Sequence, residues 1–200
     1  MTNELILIII ALLPLIGAFF ILISGRFSIL RDVFVFLFPI ILLIIFILYF
    51  GKLVTKNEAI LFFEIIPNLT LFFSLDYLGL IFLGLITILW PIASIYTIGY
   101  MRKNKEDNQT RFHVFFALSI CGAICVALSG NLLTLFIAYE ALTLFTYPLV
   151  AHKNNEDAKK GGRVYLAILL FTSIGLFLPA IIWIYQITGT LTFTDGGIFT

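Results

Sequence analysis

Apolar residues along this chain gather into six long runs separated by short polar breaks, at 5–24, 33–50, 77–100, 112–128, Leu132–Val150 and 164–187. At about 1.5 Å of rise per residue, the longer runs cross a hydrocarbon layer of ~30 Å as tilted helices and the shortest is near the lower limit. A membrane β-barrel would instead show short segments of alternating polarity. The runs are unbroken, so the pattern predicts helices. Aromatic residues mark several ends: Tyr77 and Tyr100 bracket the third run, and Tyr165 with Trp183 and Tyr185 bracket the sixth. Prolines 14, 39, 91 and 179 fall inside runs and predict kinks, since neighbouring groups in a bilayer can satisfy the carbonyls that proline leaves free.

One stretch breaks the helical pattern. Residues 60–66 and 69–75 are apolar and aromatic, and the turn-forming pair Pro67-Asn68 separates them. We read this as a short β-hairpin on the outer face of the membrane, with an irregular interfacial loop as the alternative. The expected fold is an all-α polytopic membrane protein of about six transmembrane helices, with that periplasmic hairpin between helices 2 and 3. Its expected divisions are residues 1–58 (helices 1 and 2), 59–76 (hairpin) and 77–200 (helices 3 to 6).

Composition agrees with the pattern. Hydrophobic residues make up 62% of the chain and charged residues 12%, half or less of what a water-soluble domain carries. Ten of the twelve basic residues sit in the breaks after runs one, three and five, and only Lys52 and Lys56 lie on the other side. The positive-inside rule then places both ends of the sequence outside the cytoplasm and the protein in a bacterial inner membrane. The first run is not a cleavable signal: no basic residue precedes it, Glu4 stands there instead, and it is long enough to span. Cys121 and Cys125 lie four apart within one apolar run and read as small packing residues. Arg102, Lys103 and Lys105 read as a headgroup anchor rather than a nucleic-acid patch.

Candidate chemistry is confined to few positions. Glu140 is the ninth of the nineteen residues of Leu132–Val150, close to mid-bilayer. A charge placed there costs about 2.5–3.5 kcal/mol on insertion scales, so such residues face a bundle interior and mark ion or proton pathways. Thr143 and Tyr147 follow at i+3 and i+7 and extend a polar stripe on the same helix face. A carboxylic acid that permanently holds helices together is the blander reading. No basic residue lies inside any of the six runs to act as counter-charge. His113 and His152 fall near the cytoplasmic ends of runs four and five; each could relay protons, but an ordinary interfacial histidine is the favoured reading. Asp76 and Asn131 read as helix N-caps. Ser119, Ala123 and Ala127, with Gly122 beside them, form a small-residue seam, and the short Ser129-Gly130-Asn131 connection makes runs four and five an antiparallel pair. A phosphate loop, a metal-ligand spacing and a nucleophile–base pair are all missing from the sequence, so soluble enzymatic chemistry has no support and no cofactor is expected.

Three stretches carry a family resemblance. Ser74-Leu75-Asp76-Tyr77-Leu78-Gly79-Leu80 followed by Ile98-Gly99-Tyr100-Met101-Arg102, then Ser129 to Phe136 leading to Tyr139-Glu140, then Ala158 to Gly162 with Tyr165-Leu166, resemble the proton-conducting membrane subunits of Mrp-type cation/proton antiporters and of complex I (NADH:quinone oxidoreductase). The resemblance covers roughly residues 70–190 and the N-terminal part of the family's fold. It implies that Glu140 is the family's essential fifth-helix glutamate and that the outer hairpin is a family feature. It also implies that a lysine on a broken seventh helix, beyond Thr200, partners the glutamate, so that the sequence is a fragment or a truncated protein that does not pump alone. Tyr147-Pro148-Leu149-Val150-Ala151-His152 is closer to the Mrp D-type subunit than to the distal complex I subunit.

The expected function is therefore a proton-translocating subunit of a multisubunit membrane complex. Glu140 would bind and release the proton, with support from Thr143 and Tyr147, coupled to monovalent cation antiport or to NADH:quinone electron transfer without a redox site of its own. The expected partners are the lipid bilayer, other subunits, protons and sodium or potassium, with no nucleic acid. A structural or assembly subunit that retains the fold without transporting is the rival.

Overall fold

A computed structural model describes residues 3–55, 59–66, 69–194 and 196–198. Six helices in it are long and apolar enough to cross a membrane. The first is α1 (Asn3–Ile23), closed by a 3₁₀ turn (Ser24–Arg26); α2 (Ser28–Thr55), α3 (Tyr77–Lys103), α4 (Gln109–Ala127) and α5 (Leu132–Val150) follow. The sixth span is composite. It joins α6 (Glu156–Thr172), a π-helical turn (Ser173–Phe177) and α7 (Leu178–Thr188).

Local chemistry explains where these helices begin. Asp76 Oδ1 accepts the Gly79 amide at 2.6 Å, and Asn131 Oδ1 accepts the Thr134 amide at 2.7 Å. Both are the side-chain caps expected from the sequence. Two helices start earlier than their apolar runs. Arg31 and Asp32 enter α2 because each neutralises the other. For α6, Asn155 caps the Ala158 amide at 2.8 Å and Glu156 with Asp157 occupy the first turn, where the helix dipole favours negative charge. Prolines 14, 39 and 91 lie within continuous helices. Pro179 follows the π turn and has no N–H to give the Gly175 carbonyl, a physical reason for the ladder to loosen there.

Helices α1 to α4 enclose the main core, in which Ile6, Ile10, Ile21, Leu42, Leu83 and Ile124 are fully buried. Outward faces of α2, α3 and α6 carry large exposed apolar side chains such as Ile47, Leu48, Ile81 and Phe171. Cys121 and Cys125 are free thiols, and Cys121 Sγ lies 3.4 Å from the Ala11 carbonyl, in the α1/α4 contact.

Strands β1 (Ala59–Ile66) and β2 (Leu69–Ser74) pair antiparallel, with Ala59 opposite Ser74 and irregularities near residues 62 and 65. The expected Pro67-Asn68 turn lies outside the described residues. β2 is tied to the bundle by backbone. Ser74 donates to the Leu128 carbonyl and Gly130 donates to the Phe72 carbonyl, each at 2.8 Å. The same α4–α5 connection then bonds residues 191–193, through Leu132 N to Leu191 O at 3.0 Å and Phe193 N to Gly130 O at 3.1 Å. A Cβ on Gly130 would collide with the Phe72 ring, so only glycine permits this approach.

Candidate functional site: Glu140 on the fifth helix

The strapped connection fixes where α5 starts, and so how deep each of its residues lies. Asn131 contributes twice, capping α5 and donating from Nδ2 to the Thr70 carbonyl at 2.7 Å. Thr134 adds a third tie by accepting the Phe72 amide at 2.8 Å. Small residues then bring the neighbouring helices close. A Cβ on Gly122 would stand 3.0 Å from Leu142 Cα, and one on Gly79 would meet the Ala127 carbonyl. Gly122, beside the Ser119/Ala123/Ala127 row, makes a close α4/α5 approach. Ala123 and Ala127 instead border a cavity of about 600 Å³ between α3, α4 and α5.

Within this frame Glu140 is half-buried. Its Oε1 is enclosed and has no hydrogen-bond partner among the described residues. Ile137 and Leu144, one turn away on either side, are 39% and 52% exposed. The carboxyl therefore stands beside a strip of α5 that the described residues leave uncovered. Its expected helpers face inward. Thr143 is buried, and Tyr147 packs on α6, where a Cβ on Gly162 would lie 3.1 Å from its ring. Neither hydrogen-bonds Glu140 among the described residues. The polar link from α5 to α6 is instead Thr146 Oγ1 to the Tyr165 hydroxyl, at 3.1 Å. A groove of about 310 Å³, lined by Leu135, Tyr139, Thr172, Ser173 and Phe177, opens between α5 and the π turn, beside the residue that precedes Glu140.

The other polar concentration lies at the end where the basic loops meet, and the sequence reading missed its central member. Asp32 is buried between two guanidiniums. Arg31 Nε donates to its Oδ1 at 2.8 Å, and Arg102 Nε donates to its Oδ2 at 2.6 Å. Arg31 Nη2 also reaches Gln109 Oε1 at 2.9 Å, and Gln109 Nε2 donates to the Met101 carbonyl at 3.1 Å. This network latches α2, α3 and α4. The only sequence signal was the adjacent Arg31-Asp32 pair at the threshold of an apolar run.

Both histidines are at this end as well. His113 is 1% exposed, and neither ring nitrogen has a partner among the described residues. His152 Nδ1 is likewise enclosed and unpartnered. The Phe112 ring meets both imidazoles edge-on, with centroids 5.6 Å from His113 and 5.2 Å from His152. Arg111 Nη2 donates to the His152 carbonyl at 2.8 Å.

Comparison with known proteins bears on the segment that carries Glu140. Residues 129–197 match the family described as NADH:quinone oxidoreductase/Mrp antiporter, transmembrane. NADH-quinone oxidoreductase subunit N of Campylobacter jejuni (strain RM1221) is 33% identical over 92 residues, 46% of this chain and 20% of that protein. Putative antiporter subunit mnhA2 of Staphylococcus aureus (strain JH9) is 28% identical over 129 residues, 64% of this chain and 16% of that protein. This chain thus spans a fifth or less of the length of these relatives. Two solved structures share the fold. A chain of the membrane-bound sulfane sulfur reductase, an archaeal respiratory membrane complex, superposes with a TM-score of 0.77 at 19% identity, over 95% of this chain and 39% of that one. A chain of the Mrp complex from Dietzia sp. DQ12-45-1b gives 0.72 at 16% identity, over 96% and 20%.

Proposed function

Taking this chain as an antiporter-like membrane subunit of the Mrp and complex I kind, we propose that it translocates protons within a larger membrane complex, with Glu140 as the mid-membrane site that binds and releases them. The observation that carries the reading is the carboxyl itself: midway along a span, with one oxygen enclosed and unpartnered, beside an uncovered strip of helix. A group so placed is costly to keep in a bilayer. A cation arriving on a further helix would stabilise its charged form, and withdrawal of that cation would favour its neutral form. Alternation between the two moves a proton.

Tyr147 supports the site from the α5/α6 contact, where it packs on Gly162, and Thr143 from its buried position one turn from Glu140. The basic loops lie on the cytoplasmic side of an inner membrane, which puts Asn3 and the β1/β2 pair on the outer side. Partner subunits supply the coupling, to monovalent cation exchange or to quinone-linked electron transfer, in keeping with the names of its relatives. The test is Glu140→Gln in the full complex. Proton or cation movement should stop while the subunit stays in the membrane; normal transport by that variant sinks the assignment, and a fold-retaining structural subunit becomes the better reading.

A further inference from the structure

Resting on that proton-translocating reading, we propose that His113 and His152, both packed on the Phe112 ring at the basic end, form the relay through which protons are taken up, bridged by internal water. The first support is a concentration of orphaned polar atoms. His113 Nδ1 and Nε2, His152 Nδ1 and Arg111 Nε are all enclosed and lack a partner among the described residues. Leaving a buried donor or acceptor unsatisfied costs about 1–3 kcal/mol, and native proteins keep few such groups. Where several gather in one polar region, internal water with two to four partners is the usual remedy. Glu140 Oε1 and Ser94 Oγ, the other orphaned side-chain atoms among the described residues, lie on other stretches of the bundle.

The second support is the company these rings keep. From α2, His113 faces Arg31 and Asp32, which are committed to each other; α3 brings Arg102, also bound to Asp32; the end of α5 brings His152. On α4 itself stands Arg111, and the α3–α4 loop brings Glu106 towards His152. The ionisable residue of α1, Glu4, belongs to the opposite end. No carboxylate is left over to trap a proton on His113 among the described residues. Burial first, then Arg111, hold the His152 imidazole below its usual range against the opposing pull of Glu106. Near neutral pH His152 is thus a neutral ring able to accept a proton.

The third support is direction. His152 lies twelve residues beyond Glu140, roughly 18 Å along the helix, too far for one transfer. Thr143, Thr146 and Tyr147 occupy that interval, and Thr146 is already joined to the Tyr165 hydroxyl. The relay step is balanced: a water that carries an excess proton from the basic side gives it to the free nitrogen of one imidazole and is left neutral, and the ring releases the proton of its other nitrogen to the next water, which carries the excess proton onward. One proton moves, and the ring returns to its starting state by exchanging tautomers.

The experiment uses the full-length protein in its complex, reconstituted in liposomes with an entrapped pH dye. His113→Phe keeps an aromatic ring but removes both nitrogens, and His113→Gln keeps polar atoms without a titratable group. Proton uptake should fall at least about tenfold in both, with an unchanged unfolding temperature. Wild-type rates in both, beside an inactive Glu140→Gln, overturn the relay and leave the underlying reading standing. Normal transport by Glu140→Gln overturns the underlying reading instead. A measurement free of substitution guards against variants that fail to assemble. Solid-state NMR of the unmutated protein in lipid should show magnetisation passing from water to the His113 ring nitrogens. A ring out of contact with water overturns the proposal whatever the rates.

Discussion

Two enclosed carboxylates, Asp32 and Glu140, divide this molecule into a part that is settled and a part that is not. Asp32 has both oxygens engaged by guanidiniums, and its network ties three helices together at the basic end. Glu140 has an enclosed oxygen that nothing in the described residues engages. The same functional group thus meets opposite surroundings. The fully paired carboxylate serves as an anchor between helices. The unpaired one is the carboxylate to which we assign proton binding, and the open oxygen is what that proposal rests on.

The largest effect should come from Glu140→Gln, which keeps the shape and removes the titration. Transport in the assembled complex should drop about a hundredfold or more, within the range that a positioned proton-transfer group supplies. Stability should hold or rise slightly, because an uncompensated buried acid is gone; thermal unfolding in lipid checks that half. Asp32→Asn should do the reverse in the folding measurement. It leaves the buried Arg31 guanidinium facing Arg102 without its carboxylate, a change that costs about 3–5 kcal/mol when a buried pair is broken. If Asp32→Asn unfolds no more readily than Glu140→Gln, the contrast between the two carboxylates collapses.

Which parts of this arrangement the sequence made legible follows from how local each cause is. The caps at Asp76 and Asn131 depend on an amide three residues away, so a reader of the chain can find them. Glu140 stands out because an ionisable residue deep in an apolar run is costly and therefore visible in the sequence itself. The Arg31–Asp32–Arg102 network joins residues 70 apart, and the basic members looked complete as topology markers, so nothing called for a partner. The early starts of α2 and α6 were hidden for a related reason, since charged residues that are paired or capped can sit inside a helix that hydropathy alone would shorten. His113 and His152 were visible as residues; their shared contact with Phe112 and their unpartnered nitrogens were not, because burial of a polar atom is a tertiary fact.

Packing separates the two regions in a third way. Gly79 sits against the Ala127 carbonyl where α3 meets α4, close to the cavity that Ala123 and Ala127 border. Gly79→Val should cost about 1–3 kcal/mol as an overpacked contact, read from the unfolding temperature. The clash is with backbone, so a rotamer change cannot relieve it. An unchanged unfolding temperature would mean that α3 can slide along α4, and that the depth of the bundle is less firmly set than the straps suggest.

The smallest predicted effect tests the link nearest the candidate site. Thr146 Oγ1 and the Tyr165 hydroxyl are 3.1 Å apart, and Thr146 also donates to, or shares its proton with, the Thr143 carbonyl at 2.9 Å. One hydroxyl proton cannot fully serve both, so Tyr165 is the natural donor to Thr146, and Thr146 in turn donates along its own helix. Thr146→Val deletes the intermediate oxygen at nearly constant volume and leaves Tyr165 half-buried without that acceptor, which should cost about 1 kcal/mol. Tyr165→Phe removes the donor and leaves Thr146 with its helix bond, so it should cost less. Unfolding measurements on the two single variants and the double variant separate these contributions. Coupling near zero between them would show that this hydrogen bond adds nothing to the α5/α6 contact, and that packing such as that of Gly162 on Tyr147 and Ala151 positions the helix that carries Glu140.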